Sequence, residues 1–206
     1  ERWMRRNHVI IRRPYIERLS SVFHPLSCVT RKAFGGLWCY YVFVGERKRD
    51  ELLPVVRPSP NCDSRPEGIV VDTVVLHATV LNTIDEVVAR FSDAGNRVSS
   101  HYTIDRDGTV VCHVPERLRA WHAGQSKMRD GRQRVNDFSI GIELVNLNDG
   151  IDPFPSEQIE AMRRLLKAIV LRHPIRNIVT HYECADPPGR KSDPVGFQQS
   201  WINGIL

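Results

Sequence analysis

No apolar stretch in the 206-residue sequence is long enough to cross a membrane. The longest, Gly35 to Val44, falls far short of the roughly 20 residues a spanning helix needs. There is no CxxC pair, and the five cysteines (Cys28, Cys39, Cys62, Cys112, Cys184) are odd in number and widely spaced, which argues against a disulfide scaffold and a structural zinc knuckle. No internal repeat or low-complexity tract is present. With 41% hydrophobic and 26% charged residues the composition is that of an ordinary globular chain, not a collagenous or disordered one. The length is too small for two full catalytic domains.

What charge there is of one sign sits at one end. The net charge is +5, yet residues 1–53 carry eleven Lys and Arg against five Asp and Glu, and residues 54–206 carry eighteen against nineteen. The first segment strings together Arg5-Arg6, Arg12-Arg13-Pro14 and Arg47-Lys48-Arg49, without periodicity and without the apolar core and cleavage site of a secretory signal. About fifty residues with one short apolar patch, Leu37 to Val44, would bury too little surface to hold a core of their own. Residues 1–53 are therefore expected to be a basic N-terminal extension, flexible or outside the native domain. The start at Glu1 fits a fragment or a processed chain. A basic tether to an anionic envelope surface or to nucleic acid is the other reading, resting on charge clustering alone, so no nucleic-acid partner is expected. Residues 54–206 are expected to be the folded domain.

Past a Pro-rich lead-in, Ile69 to His77 reads as a mostly buried β-branched strand. Thr83 and Glu86 have the spacing of a capping box, opening a short helix with Ile84, Val87, Val88 and Phe91 on one face. His101–Asp105 and Thr109–Val114 flank an Asp107-Gly108 hairpin turn. Ser139–Val145 is an apolar strand interrupted by the carboxylate of Glu143. Ser156 is placed to cap the longest helix, and Ile178–His181 reads as a last short strand before a loop with Lys191 and Asp193. Interleaved strands and helices with one hairpin predict an α/β fold: a single domain with a mixed central β-sheet flanked by helices.

Chemistry gathers where strands end. His77 and His181 both close apolar strands and Asp193 follows the second, so neighbouring strands would bring two imidazoles and a carboxylate together. Three such ligands leave a zinc ion one open position, as in catalytic sites. On spacing alone, ordinary core or surface histidines are the default reading.

A set of ordered segments narrows this. Ser59-Pro60-Asn61 and Arg65-Pro66 precede Val74–Thr79. Val98–Ile104 with Asp107-Gly108, Ala120-Trp121-His122-Ala123-Gly124, Asn136–Leu144, Val179-Thr180-His181 and Lys191-Ser192-Asp193-Pro194 follow in turn. Over residues 54–200 this resembles the zinc-dependent N-acetylmuramoyl-L-alanine amidases, a family related to phage amidase lysozymes and peptidoglycan recognition proteins, and within it the bacterial cell-envelope branch. The resemblance implies zinc (Zn2+) held by His77, His181 and Asp193, Glu143 as general base, Lys191 stabilising the oxyanion, and Trp121, His122 and His101 at the substrate. It implies hydrolysis of the amide between N-acetylmuramic acid and the L-alanine of the stem peptide, with peptidoglycan or muropeptides as partners. The branch points to the periplasm or outer membrane, although the family includes cytoplasmic members. Two other classes remain as alternatives: a peptidoglycan-recognition module without catalysis, and a nucleic-acid binder acting through residues 1–53. One departure stands out. Pro194 is followed by Val195 and only then by Gly196, where relatives commonly have Pro-Gly, so the loop past the third ligand is expected to differ in shape. The chain ends soon after Trp201, with no C-terminal wall-binding module expected.

Overall fold

The computed structural model describes residues 53–206 in full and, upstream of them, the backbone of three strands. Those strands, β1 (His8–Ile10), β2 (Val29–Phe34) and β3 (Leu37–Phe43), form an antiparallel sheet in the order β1-β3-β2. The arginine clusters of the basic segment, on which the expectation of a flexible extension or tether rests, lie outside the described residues. Leu52–Leu206 forms a compact unit of its own.

That unit is built on a mixed six-stranded sheet in the order β11-β6-β10-β7-β8-β4, with β4 at Val55–Val56, β6 at Thr73–Ala78, β7 at Tyr102–Ile104, β8 at Val110–Cys112, β10 at Ser139–Leu144 and β11 at Asn177–Thr180. A separate antiparallel pair joins β5 (Cys62–Ser64) to β9 (Leu118–Ala120). The neighbours β11, β6 and β10 run parallel, and β10 runs parallel to β7. β6 is buried along its whole length, as its continuous β-branched and apolar sequence requires for a strand covered on both faces.

Alternation divides the two faces. Val74 and Leu76 of β6, with Ile140, Ile142 and Leu144 of β10, pack against Met162, Leu165, Leu166 and Ile169 of the long helix α2 (Ser156–Arg172). The intervening residues Val75 of β6 and, beyond the sheet, Ala123, Val135 and Phe138 form a second cluster. Side chains at odd positions of these two strands, among them His77 and Glu143, therefore project away from α2. Helix α1 (Ile84–Ser92) opens on the expected Thr83–Glu86 capping box and packs Val87 and Phe91 against Val145. The β7–β8 hairpin turns at Gly108, whose φ of +84° suits glycine, and a Cβ there would stand 2.9 Å from the Glu157 carbonyl oxygen at the start of α2.

Three local expectations change. Ile69 and Val70 lie outside the strand and are exposed, because the chain leaves Pro66 in a turn before pairing begins at Thr73. Ser156 is the first helical residue, and its hydroxyl turns to Glu157 Oε2 while Pro155 takes the cap position. His181 opens the short helix α3 (His181–Cys184) instead of ending β11, since Thr180 and Glu183 form a capping box around it. Among the described residues, no helix is long and apolar enough to cross a membrane.

Candidate functional site

The carboxyl ends of β11, β6 and β10 lie side by side, the usual place for a ligand in parallel α/β sheets. Each end delivers one polar residue. β6 carries His77 one residue from its end, Glu143 of β10 pairs opposite His77 in register, and Thr180 of β11 hands directly to His181. Asp193 reaches the same spot from the loop after α3, where its backbone carbonyl accepts from the Tyr182 N–H at 3.0 Å.

Three donor atoms converge there. His77 Nδ1 is 3.0 Å from His181 Nδ1, Asp193 Oδ2 is 3.1 Å from His181 Nδ1, and the same oxygen is 3.4 Å from His77 Nδ1. All three residues are buried. The other ring nitrogen of His181, Nε2, is 3.1 Å from the Ala123 carbonyl. A carbonyl only accepts, so Nε2 carries the proton and Nδ1 presents a lone pair. A carboxylate and two imidazoles facing inward, closed off from water, make a donor set that suits a divalent cation.

Glu143 stands beside this cluster. Its Oε2 is closed off from solvent and has no hydrogen-bond partner, although the residue as a whole is half-buried. Burial first, then the nearby Asp193 charge, push its carboxyl up to about 8, while the Lys191 ammonium opposes them. A carboxyl without a partner beside the three inward-facing donors is placed to take up and release a proton there, the property a general acid–base needs. Lys191 itself is exposed at the site's edge, close enough for its charge to act on both Glu143 and His77.

Residues 67–196, which include all five of these positions, match the N-acetylmuramoyl-L-alanine amidase family. The chain belongs to that family. The 1,6-anhydro-N-acetylmuramyl-L-alanine amidase AmpD of Citrobacter freundii is 37% identical over 157 residues, covering 66% of this chain and 81% of AmpD. A crystal structure of a selenomethionine AmpD derivative superposes with a TM-score of 0.66 at 31% identity, covering 77% of this chain and 98% of that one. AmiD of Escherichia coli, solved with anhydro-N-acetylmuramic acid-L-Ala-D-gamma-Glu-L-Lys, superposes with a TM-score of 0.57 at 33% identity over 66% of this chain and 59% of its own.

The three residues expected at the substrate occupy different positions in the amidase. Trp121 is half-buried, with the Arg97 guanidinium 5.9 Å from its ring centroid. His101 and His122 are inside the protein and both nitrogens of each are occupied, so neither has a ring atom left for a sugar or peptide. His101 Nδ1 accepts from the Gly141 N–H at 3.0 Å and its Nε2 faces the Leu118 carbonyl at 3.1 Å. Burial, with Arg65 adjacent, lowers this imidazole to about 3 and keeps it neutral. His122 lies between His77 and Ser139, 3.0 Å from His77 Nε2 and 3.2 Å from Ser139 Oγ. The loop past Asp193 has its left-handed turn at Gly196 (φ +81°), and the Val195 N–H donates to Asn148 Oδ1 at 2.7 Å. Val195 thus ties this turn to the loop after β10.

Sequence reasoning missed the residues that support this site. Asn136 Oδ1 accepts from the backbone N–H of both His122 and Ala123, at 3.2 and 2.8 Å. Arg65 donates to the carbonyls of Asn136, Asp137 and Ser139, stapling the same segment to the start of β10. Both fall in segments that carry the family resemblance, but nothing in a sequence says that an asparagine or arginine bonds backbone instead of substrate.

Proposed function

We propose that this amidase is zinc-dependent and hydrolyses the amide joining the lactyl group of N-acetylmuramic acid to the L-alanine of the stem peptide, in peptidoglycan or in muropeptides released from it. The observation that carries the reading is the meeting of three inward-facing donors with one unpartnered carboxyl, Glu143, on the adjacent strand. His77 and His181 through Nδ1 and Asp193 through Oδ2 would hold the zinc. When bound, zinc supplies a Lewis acid and an acidified water. Glu143 Oε2 takes a proton from the attacking water as its oxygen bonds the carbonyl carbon, then passes it to the departing alanine nitrogen, so the amide C–N bond breaks without a charged amide leaving. Lys191 Nζ offsets the negative charge growing on the carbonyl oxygen, a contribution of roughly 3–4 kcal/mol where such a donor is pre-positioned. The burial of Glu143 Oε2 keeps bulk water from competing for that proton. AmpD is named for a 1,6-anhydro substrate and AmiD was solved with an anhydromuramyl peptide, which favours 1,6-anhydro muropeptides as a substrate here. We assign the activity to residues 54–206.

The test is mass spectrometry of products after the full chain is incubated with 1,6-anhydro muropeptides, reducing-end muropeptides and intact wall, with zinc and after chelation, beside residues 54–206 alone. Stem peptide beginning at L-alanine, lost on chelation and restored by zinc, is expected from both proteins. Muropeptide binding without cleavage by zinc-loaded protein would favour a recognition module instead. Activity in the full chain alone would overturn the domain assignment.

A further inference from the structure

We infer that the turn Trp121–Gly124 sets the ring tautomer of both donor histidines, and that His122 is a positioning residue which turns the His77 Nδ1 lone pair toward the cation. This rests on the three-donor site proposed above and deepens it.

A neutral imidazole has one proton and two nitrogens, so a histidine can offer Nδ1 to a cation only if Nε2 holds the proton. For His181 the acceptor is the Ala123 carbonyl, which also accepts from Arg190 Nη2 at 3.0 Å and is thereby held in place. For His77 the acceptor is another imidazole, and which of the two carries the proton must be decided elsewhere. Ser139 decides it. Its Oγ lies 2.6 Å from the Val135 carbonyl oxygen. A carbonyl has no proton, so the hydroxyl proton is spent in that contact and Ser139 can only accept from His122. His122 Nε2 therefore carries the proton donated to Ser139 Oγ, and a second proton on Nδ1 would make a buried imidazolium with no carboxylate against it, which is costly. His122 Nδ1 is left as an acceptor, so the proton between the rings belongs to His77 Nε2. The chain of donation runs from His77 to His122 to Ser139 to Val135, and it ends on backbone.

The supporting structure keeps this relay from slipping. Asn136 holds both amides of the turn, and Trp121 exchanges backbone and side-chain bonds with Ser99: the Trp121 N–H donates to Ser99 Oγ at 3.0 Å and the Ser99 N–H to the Trp121 carbonyl at 3.2 Å. Gly141 makes room for the ring. A Cβ at that position would stand 2.5 Å from His122 Cγ and 2.7 Å from both Nδ1 and Cδ2. The glycine in Ser139-Ile140-Gly141-Ile142-Glu143 thus serves His122, and through it His77.

Two measurements on the full chain test this. The first is 15N NMR of the imidazoles in zinc-loaded protein, where the ring proton is expected on Nε2 for His77, His122 and His181, with His122 Nδ1 bare. A proton on His122 Nδ1 would overturn the inference without any variant. The second is zinc affinity by competition with a chromophoric chelator. His122→Leu is expected to weaken zinc about 10–100-fold, the usual range for losing a partner behind a ligand. His122→Asn, whose amide oxygen can replace Nδ1 as acceptor, should recover most of that loss, a rescue that a merely space-filling role would not show. Wild-type zinc affinity in His122→Leu would sink the relay. Should that variant fail to fold, Ser139→Ala takes its place: weakened zinc with mixed His122 tautomers supports the relay, and unchanged zinc with a single His122 tautomer contradicts it. Failure of the wild-type chain to bind zinc would instead count against the metal reading itself, with the His122 tautomer still decided by NMR.

Discussion

At His77, His181 and His122 the atom that matters is a single hydrogen. Distance alone would let each pair of rings share a proton either way. Their partners, a carbonyl behind His181 and a committed hydroxyl behind His122, remove the choice. Glu143 differs in kind, having no partner at Oε2 and a carboxyl raised to about 8 by burial and Asp193. Those separate situations predict separate losses. Asp193→Ala should lower zinc occupancy, measured by metal analysis after dialysis. Glu143→Gln should keep zinc while turnover falls about 10²–10⁴-fold, as expected for loss of a proton-transfer group. Equal zinc loss in both would contradict the division of roles. His77, His181 and Glu143 stood out in the sequence because a titratable side chain at the end of, or inside, an apolar run is conspicuous, whereas Asp193 stood out only by following His181, and the separate roles came from the family resemblance. His101 and His122 were not legible as interior residues, because a histidine beside a strand reads the same whether its ring meets substrate or packs among neighbours.

The strand β10 shows how an element serves two faces at once. Ile140, Ile142 and Leu144 fill the core under α2, and Ser139, Gly141 and Glu143 alternate with them toward the site. A one-residue slip in register would exchange the two sets, so the hydrophobic face that anchors the strand also fixes where Glu143 stands. Gly141→Ala tests this coupling. The added methyl must displace a ring bonded at both nitrogens, so unfolding by urea should show a loss of about 1–3 kcal/mol, typical of an overpacked interior. Zinc affinity should fall as well. A fully stable variant with unaltered zinc binding would mean that the His122 ring can move aside at no cost. The periodicities of β6, α1, the hairpin and α2 were readable beforehand, but boundaries were not: pairing partners decided that β6 begins at Thr73, and a capping box decided that His181 belongs to a helix.

Across the whole molecule, burial of titratable groups sets the response to acid. His113 is lowered to about 4 and His101 to about 3, both chiefly by burial, so the unfolded chain takes up protons there that the folded one refuses. Their stability is complete above about pH 6.5 and declines as pH falls toward those values. Glu116 acts lower down. Burial alone would raise it, but Arg172, His173 and Tyr102 bond its carboxylate and hold it at about 2, below the ordinary 4.5. Its contribution, about 3 kcal/mol by linkage, is present above pH 4.5 and lost as pH falls through about 2. Urea midpoints of metal-free protein should therefore fall in two limbs. Glu116→Gln should be less stable at neutral pH, keep the upper limb and show a shallower lower one, the remainder belonging to other carboxylates held low, Asp193 and Asp63 among them. A lower limb unchanged in that variant would refute the assignment.

The alternation of β6 and β10, the capping box at Thr83 and the Asp-Gly turn were all determined by local order, because each depends on neighbours a few positions away. Which ring nitrogen carries a proton was decided only by tertiary structure. That choice depends on Ala123, Ser139 and Val135, which lie 58 residues before His181 and 17 and 13 residues after His122, and a sequence cannot say which carbonyl or hydroxyl a folded chain will bring against an imidazole.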